Sequence, residues 1–238
     1  MCVLHVQAIS AADLIFVNWI IIVAEVFYVV ACAKTGGKHM EATLRKERIN
    51  FMAGDDYGYT MADIEALPEG QRAELLDGEL FMMATPTATH QAILMWLSVE
   101  VYTKIRDKGG KCKVFAAPFA VYLMNDEKNY VEPDILVICE KEKLDNKGCH
   151  GAPDWAVEIV SPTSKKMDFY RKLDAYKLAG VREYWIIDPV KKAIVVYNLE
   201  EESIPEIYHF SDTVKSGILE DFEIDFSGLA DYDYGEIN

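Results

Sequence analysis

Between residues 59 and 198 the spacing of apolar and polar positions changes repeatedly between a helical and a strand period. YTMADIEALPEG reads as a short helix with Thr60 at its N-cap. AELLDGELFMMATP reads as two strands around an Asp77-Gly78 turn, the strongest short-range hairpin signal. In residues 90–106 the apolar positions Ile93, Leu94, Leu97, Val101 and Ile105 recur at helical spacing, and Gly109-Gly110 closes the segment. Strand candidates KCKVFAA, FAVYLM and VEPDILVIC follow, divided by Pro118 and the polar NDEKN. DWAVEIV is a near-continuous apolar run, the pattern of a strand buried on both faces. Ser161-Pro162 then opens a helical stretch that reaches Ala179 and stops at Gly180. REYWIIDP and AIVVYNL supply two more strands, so the pattern predicts an α/β domain with a mixed β-sheet flanked by helices.

Residues 14–33, LIFVNWIIIVAEVFYVVACA, form a different kind of segment: 20 residues interrupted only by Asn18 and Glu25. That length suffices for a membrane-spanning helix. Lys34, Lys38, Arg45, Lys46 and Arg48 follow it and no basic residue precedes it, so a true span would leave the rest of the chain in the cytoplasm. A mis-called translation start and a packed helix are the competing readings. The expected organisation is an N-terminal extension over residues 1–56, the domain over residues 57–238, and an acidic segment within it at 199–238. A cytoplasmic location is expected, with inner-membrane anchoring as the alternative and the membrane a partner only if residues 14–33 are an anchor.

The formal net charge of −15 opposes a nucleic-acid role at first sight, because binding phosphates draws on Lys and Arg. Its distribution weakens the objection. Residues 199–238 hold 12 acidic residues against the single Lys215. The middle of the chain instead carries two basic clusters: Lys104, Arg106, Lys108, Lys111 and Lys113, then Lys165, Lys166, Arg171, Lys172 and Lys177. Solvated faces explain such clusters equally well. The five cysteines lack CxxC spacing, so neither a disulfide framework nor a zinc finger is expected, and a reducing compartment fits.

Asp134 and Glu158 lie inside apolar strand runs, where an uncompensated carboxylate is expensive to bury. On neighbouring strands they would converge at one end of the sheet and offer oxygen ligands of the kind Mg²⁺ prefers. Lys172, on the helix that returns over the Glu158 strand, could orient or activate an attacking water and stabilise charge developing on phosphorus. The alternative is an ion pair with Asp168 on an exposed helix, worth only ~0.3 to 0.5 kcal/mol. On either reading, removing Lys172 is expected to leave stability almost unchanged. Spacing alone does not decide between metal chemistry and coincidence.

AELLDGELFMMATPTATHQ, YVEPDILVIC, PDWAVEIVSPTS and KLDAYKLAGVREYWIIDP, in that order over roughly residues 57–200, resemble the signature blocks of Uma2, a large bacterial family described as putative restriction endonucleases. The resemblance implies a restriction-endonuclease-like core of the PD-(D/E)XK type and Mg²⁺-dependent (or Mn²⁺-dependent) phosphodiester hydrolysis in nucleic acid, DNA first. A homodimer is compatible with it. Asp134 then matches the aspartate of the PD dipeptide, and Glu158 the acidic residue of the next strand. Val160 stands where the literal E-x-K pattern has lysine, and Lys172 of the KLxxY run is the displaced substitute. Glu74 matches an acidic position near the metal. The backbone carbonyl of Ile159 is a further implied ligand, and His90 and Gln91 match an HQ pair beside the site.

Each assignment has a plain competitor. Glu74 would be an exposed hairpin carboxylate, His90 a helix cap, Tyr176 and Trp185 packing residues, and Asp188-Pro189 a strand exit. The competing functional class is a non-catalytic module that keeps the fold to bind nucleic acid or a partner protein.

Overall fold

The computed structural model describes residues 58–161, 164–201 and 203–230, all within the unit formed by residues 57–238. The hydrophobic segment 14–33 lies outside the described residues. Among the described residues no helix is long and apolar enough to cross a membrane.

Helix α1 (Met61–Glu65) begins at Thr60, whose extended backbone and amide bond to the Asp63 carboxylate at 2.7 Å close the first turn. Strands β1 (Ala73–Leu76) and β2 (Glu79–Met82) form the expected hairpin. Its turn residues Asp77 and Gly78 both take positive φ, 52° and 79°, the backbone that a two-residue hairpin turn requires. Helix α2 (Ala88–Asp107) starts two residues earlier than the sequence suggests. Its cap is Thr87, whose side chain accepts from the His90 amide at 3.2 Å, so His90 belongs to the first turn and is not the cap.

The run VEPDILVIC is not one strand. It divides into β5 (Tyr130–Val131) and β6 (Ile135–Ile138), with β3 (Lys113–Ala116) and the two-residue β4 (Val121–Tyr122) before them. Pro133 lacks a ladder donor, and at Glu132-Pro133-Asp134 the chain leaves one sheet for another. After β7 (Cys149–His150) and β8 (Trp155–Ile159), a π-helical segment (Met167–Lys172) runs into α3 (Leu173–Ala179). Gly180, at φ 95°, caps α3 in the left-handed conformation. Strands β9 (Glu183–Asp188) and β10 (Ala193–Asn198) lead to β11 (Glu206–His209), β12 (Thr213–Lys215), β13 (Glu223–Asp225) and α4 (Ser227–Ala230).

The five-stranded sheet has the order β2-β1-β5-β4-β7, and the six-stranded sheet β11-β10-β9-β8-β6-β3. In the larger sheet β8 and β9 are parallel while the other pairs are antiparallel, so this sheet is mixed. Residues alternate between its faces. Trp155, Val157 and Ile159 join Ile93, Leu97 and Val101 of α2 on one side, and Ala156 and Val160 join Tyr176, Tyr184 and Leu76 on the other. Glu158 shares the second face by register. Trp185 is fully buried and meets Trp155 edge-on at 4.6 Å, a packing role as expected.

The cysteine expectation needs correction. Cys112 and Cys139 are joined in a disulfide, because the register Lys113↔Ile138 sets the residues flanking β3 and β6 opposite each other. Strand pairing over that separation is invisible in the sequence.

Candidate functional site

The sheet switch at Glu132-Pro133-Asp134 builds the site. Pairing of Leu75 with Tyr130 brings β1 beside β5, and the Glu132 amide donates to Glu74 Oε1 at 2.9 Å. Glu132 itself is held by Arg72 and by the Tyr130 hydroxyl, the latter at 2.7 Å. Glu74 is only 5% exposed, so it is not the solvent-facing hairpin carboxylate that strand position alone allows.

On the far side of the switch, Asp134 Oδ2 accepts from the Ile159 amide at 2.7 Å and lies 3.1 Å from His90 Nε2. Asp134 therefore reaches across to the residue next to Glu158. Ile159 is engaged through its N–H, whereas the sequence reading put its carbonyl in the site. Burial works against a charged His90, but its bond to Asp134 and that carboxylate's charge outweigh it and raise the imidazole pKa. His90 Nδ1 is buried with no hydrogen-bond partner among the described residues.

Lys172 joins the two halves. Its Nζ is 2.8 Å from Glu74 Oε2 on the smaller sheet and 2.8 Å from Glu158 Oε1 on the larger one, with Asp168 Oδ1 at 3.7 Å. The lysine and its three carboxylates are all buried, so the Asp168 pair is not the exposed i,i+4 bridge that the sequence allows. Tyr176, fully buried, donates its hydroxyl to the same Glu158 Oε1 at 2.8 Å, which makes it more than a packing residue.

Helix geometry explains how Asp168, Lys172 and Tyr176 all face inward. At 3.6 residues per turn, a four-residue step overshoots a full α-helical turn by about 40°. The wider π turn from Met167 to Lys172 undershoots instead, so the offsets of the steps 168–172 and 172–176 oppose each other. The three side chains then lie near one line along the helix.

The electrostatics report a surplus of negative charge. Burial, only partly offset by Lys172 and reinforced by Asp134, Asp168 and Glu74, pushes the Glu158 carboxyl well above the ordinary range. Asp168 is raised for the same leading reason. Burial disfavours the Lys172 ammonium, yet Glu158, Glu74 and Asp168 outweigh it and hold its pKa well above that of a free lysine.

The structure thus brings Glu74, Asp134, Glu158, Ile159, Lys172 and His90 to one place. It leaves Gln91 exposed on the first turn of α2. The sequence reading did not place Asp168, Tyr176 or Glu132 in the site. The four-residue spacing Asp168, Lys172, Tyr176 was the available signal. Nearby, Asp188 does leave its strand into a turn, and its carboxylate is held by Lys165 at 2.6 Å.

The model of the Uma2 family, described as putative restriction endonuclease, matches residues 61–227. The chain belongs to this family. The match covers the five- and six-stranded sheets and continues through the acidic β12–β13 pair, beyond the last sequence block at residue 200. Among solved structures, the fold resembles the crystal structure of a putative nuclease belonging to DUF820 from Anabaena variabilis ATCC 29413. The TM-score is 0.55 at 21% identity, over 66% of this chain and 88% of that one. That likeness establishes a shared mixed α/β fold. A search of curated proteins finds no match.

Proposed function

We propose that this Uma2 protein is a divalent-metal-dependent endonuclease that hydrolyses phosphodiester bonds in nucleic acid, with DNA as the substrate. The observation that carries the reading is the imbalance of charge around Lys172. Among the described residues, Glu74, Asp134, Glu158 and Asp168 face Lys172 and His90 as the nearby cations of the cluster. Buried carboxylates need partners, and a divalent cation supplies the two positive charges that this cluster lacks.

The donor set fits Mg²⁺ or Mn²⁺ better than a dedicated cage. Among the described residues no group of three or more His, Cys, Asp and Glu side chains is arranged to hold a metal. Both oxygens of Glu74 are engaged, by the Glu132 amide and by Lys172. Asp134 Oδ1 and Glu158 Oε2 take no hydrogen bond from the described residues, because the bonds to these carboxylates go to Oδ2 and Oε1. Mg²⁺ is commonly bound by one or two carboxylates with several waters retained. These two oxygens would hold it, with Glu74 acting through Lys172 and no contribution needed from the Ile159 carbonyl.

A bound divalent cation polarises a phosphoryl oxygen and lowers the pKa of bound water. The protein's own groups complete the chemistry. Lys172, kept protonated by its three carboxylates, acts as a fixed positive charge toward a phosphate and not as a base. His90 orients Asp134 through Nε2, and the Ile159 amide fixes the same carboxylate from the other side.

Titration of the full-length protein with Mn²⁺ in a calorimeter, followed by incubation with supercoiled plasmid at each metal concentration, tests the proposal. Binding and metal-dependent nicking are expected in the wild type, and both should be lost in an Asp134→Asn, Glu158→Gln double variant. Equal Mn²⁺ affinity in the double variant, or cleavage that persists in EDTA, would refute the reading.

A further inference from the structure

Glu158 receives two donors on one oxygen. Lys172 Nζ and the Tyr176 hydroxyl both sit 2.8 Å from Oε1, and nothing among the described residues donates to Oε2. We infer that Tyr176 is a positioning residue of this site: by sharing Oε1 with Lys172 it locks the Glu158 carboxylate in the orientation that leaves Oε2 as the oxygen open to a cation. The inference rests on the metal-dependent reading and adds to it a residue that touches neither substrate nor metal.

A single donor would leave the carboxylate free to exchange its two oxygens by rotation about its last bond. Lys172 alone is a poor lock, because its ammonium is a compact charge on a flexible stem and is divided here among Glu158, Glu74 and Asp168. Tyr176 is the opposite kind of group. Its ring is fully buried, and its centroid lies 4.9 Å from that of Tyr184 in an edge contact. The Tyr184 hydroxyl is in turn tied to the Asp168 carbonyl at 3.1 Å. The Tyr176 hydroxyl therefore has a fixed direction, and it is the rigid donor of the pair. Groups that orient a metal-binding carboxylate in this way typically change metal affinity by 10- to 100-fold when removed.

Tyr176→Phe keeps the ring and its packing and deletes only the donor. Thermal unfolding and Mn²⁺ calorimetry on the full-length variant read fold and orientation separately. The expected result is a folded protein whose Mn²⁺ dissociation constant rises roughly 10- to 100-fold, with nicking recovered at correspondingly higher Mn²⁺. Wild-type Mn²⁺ affinity in a folded Tyr176→Phe protein would overturn the inference while leaving the metal-dependent reading intact. A wild type that binds no Mn²⁺ would instead remove that reading, and this inference with it. If Tyr176→Phe does not fold, Tyr184→Phe, which removes the tie to the Asp168 carbonyl behind the Tyr176 ring, must weaken Mn²⁺ binding; a folded Tyr184→Phe protein with wild-type affinity would count against the lock.

Discussion

Replacing Lys172 by methionine keeps an unbranched stem of similar volume and removes the charge on which the two sheets converge. Three carboxylates then lose their shared cation while remaining buried at 3–5% exposure. Removing one member of a buried ion pair costs ~3 to 5 kcal/mol, mostly from the charge left behind. Mg²⁺-free buffer isolates this term. For a domain of this size that loss corresponds to a fall of roughly 6 to 20 °C in Tm. The size of the loss should depend on pH. The Glu158 carboxyl is raised above its unfolded value in the folded state, so its contribution is fully present below the unfolded pKa of about 4.3 and is lost as pH rises through the folded one. Lys172 is among the groups that lower Glu158, and removing it widens that window upward. Lys172 itself stays charged on both sides of folding until pH approaches its unfolded value of about 10.4. The variant should therefore lose less at pH 5 than at pH 8. Urea unfolding at both pH values measures this. A variant within about 0.5 kcal/mol of wild type at pH 8, or a loss independent of pH, would refute the argument. Either result would restore the exposed-helix expectation, in which Lys172 hardly matters to stability.

Two further outcomes follow from the same structure. Asp168→Asn should be at least as stable as wild type at pH 8, with a gain of ~0.5 to 1 kcal/mol, because burial raises the Asp168 pKa and its ionisation is a cost that appears as pH climbs. A stability from urea unfolding that is lower than wild type by more than that amount would show that Asp168 is a net stabilising partner of Lys172. Breaking the Cys112–Cys139 link, with reductant or as Cys112→Ser with Cys139→Ser, should lower stability by ~2 to 4 kcal/mol, the scale for a bridged loop of 27-residue separation. Identical denaturation curves with and without reductant would show that the bond contributes nothing to the folded state.

The parts of the fold legible in the sequence were those fixed by local rules. The hairpin followed from Asp77-Gly78 and α2 from the five apolar positions that are all buried. The C-terminal strands were missed because their alternation is carried by one inward residue each, Val214 in β12 and Ile224 in β13, within a strongly acidic background. The division of VEPDILVIC was missed for a different reason. Its apolar content is continuous, and only the pairing of Tyr130 with Leu75 and of Ile135 with Val157 assigns its two halves to different sheets. Burial of Glu74 depends on the first of these pairings and the cross-strand disulfide on that of Lys113 with Ile138, long-range contacts that no window of sequence contains.

The departure from the E-x-K pattern has a structural counterpart. Val160, two residues beyond Glu158, is 4% exposed and packs in the apolar layer beside Tyr176 and Val181. A lysine at that position would have to place its charge in this layer, at the expense of the packing that holds α3 against the sheet. The cation instead arrives from the helix, carried on the π turn. That route brings Asp168 and Tyr176 with it, since both occupy the same helical line as Lys172. Lys172 thus comes with two further polar groups of the same helix. The helix supplies a charge, a hydroxyl donor and an extra carboxylate together, and that carboxylate adds to the negative charge around Glu158.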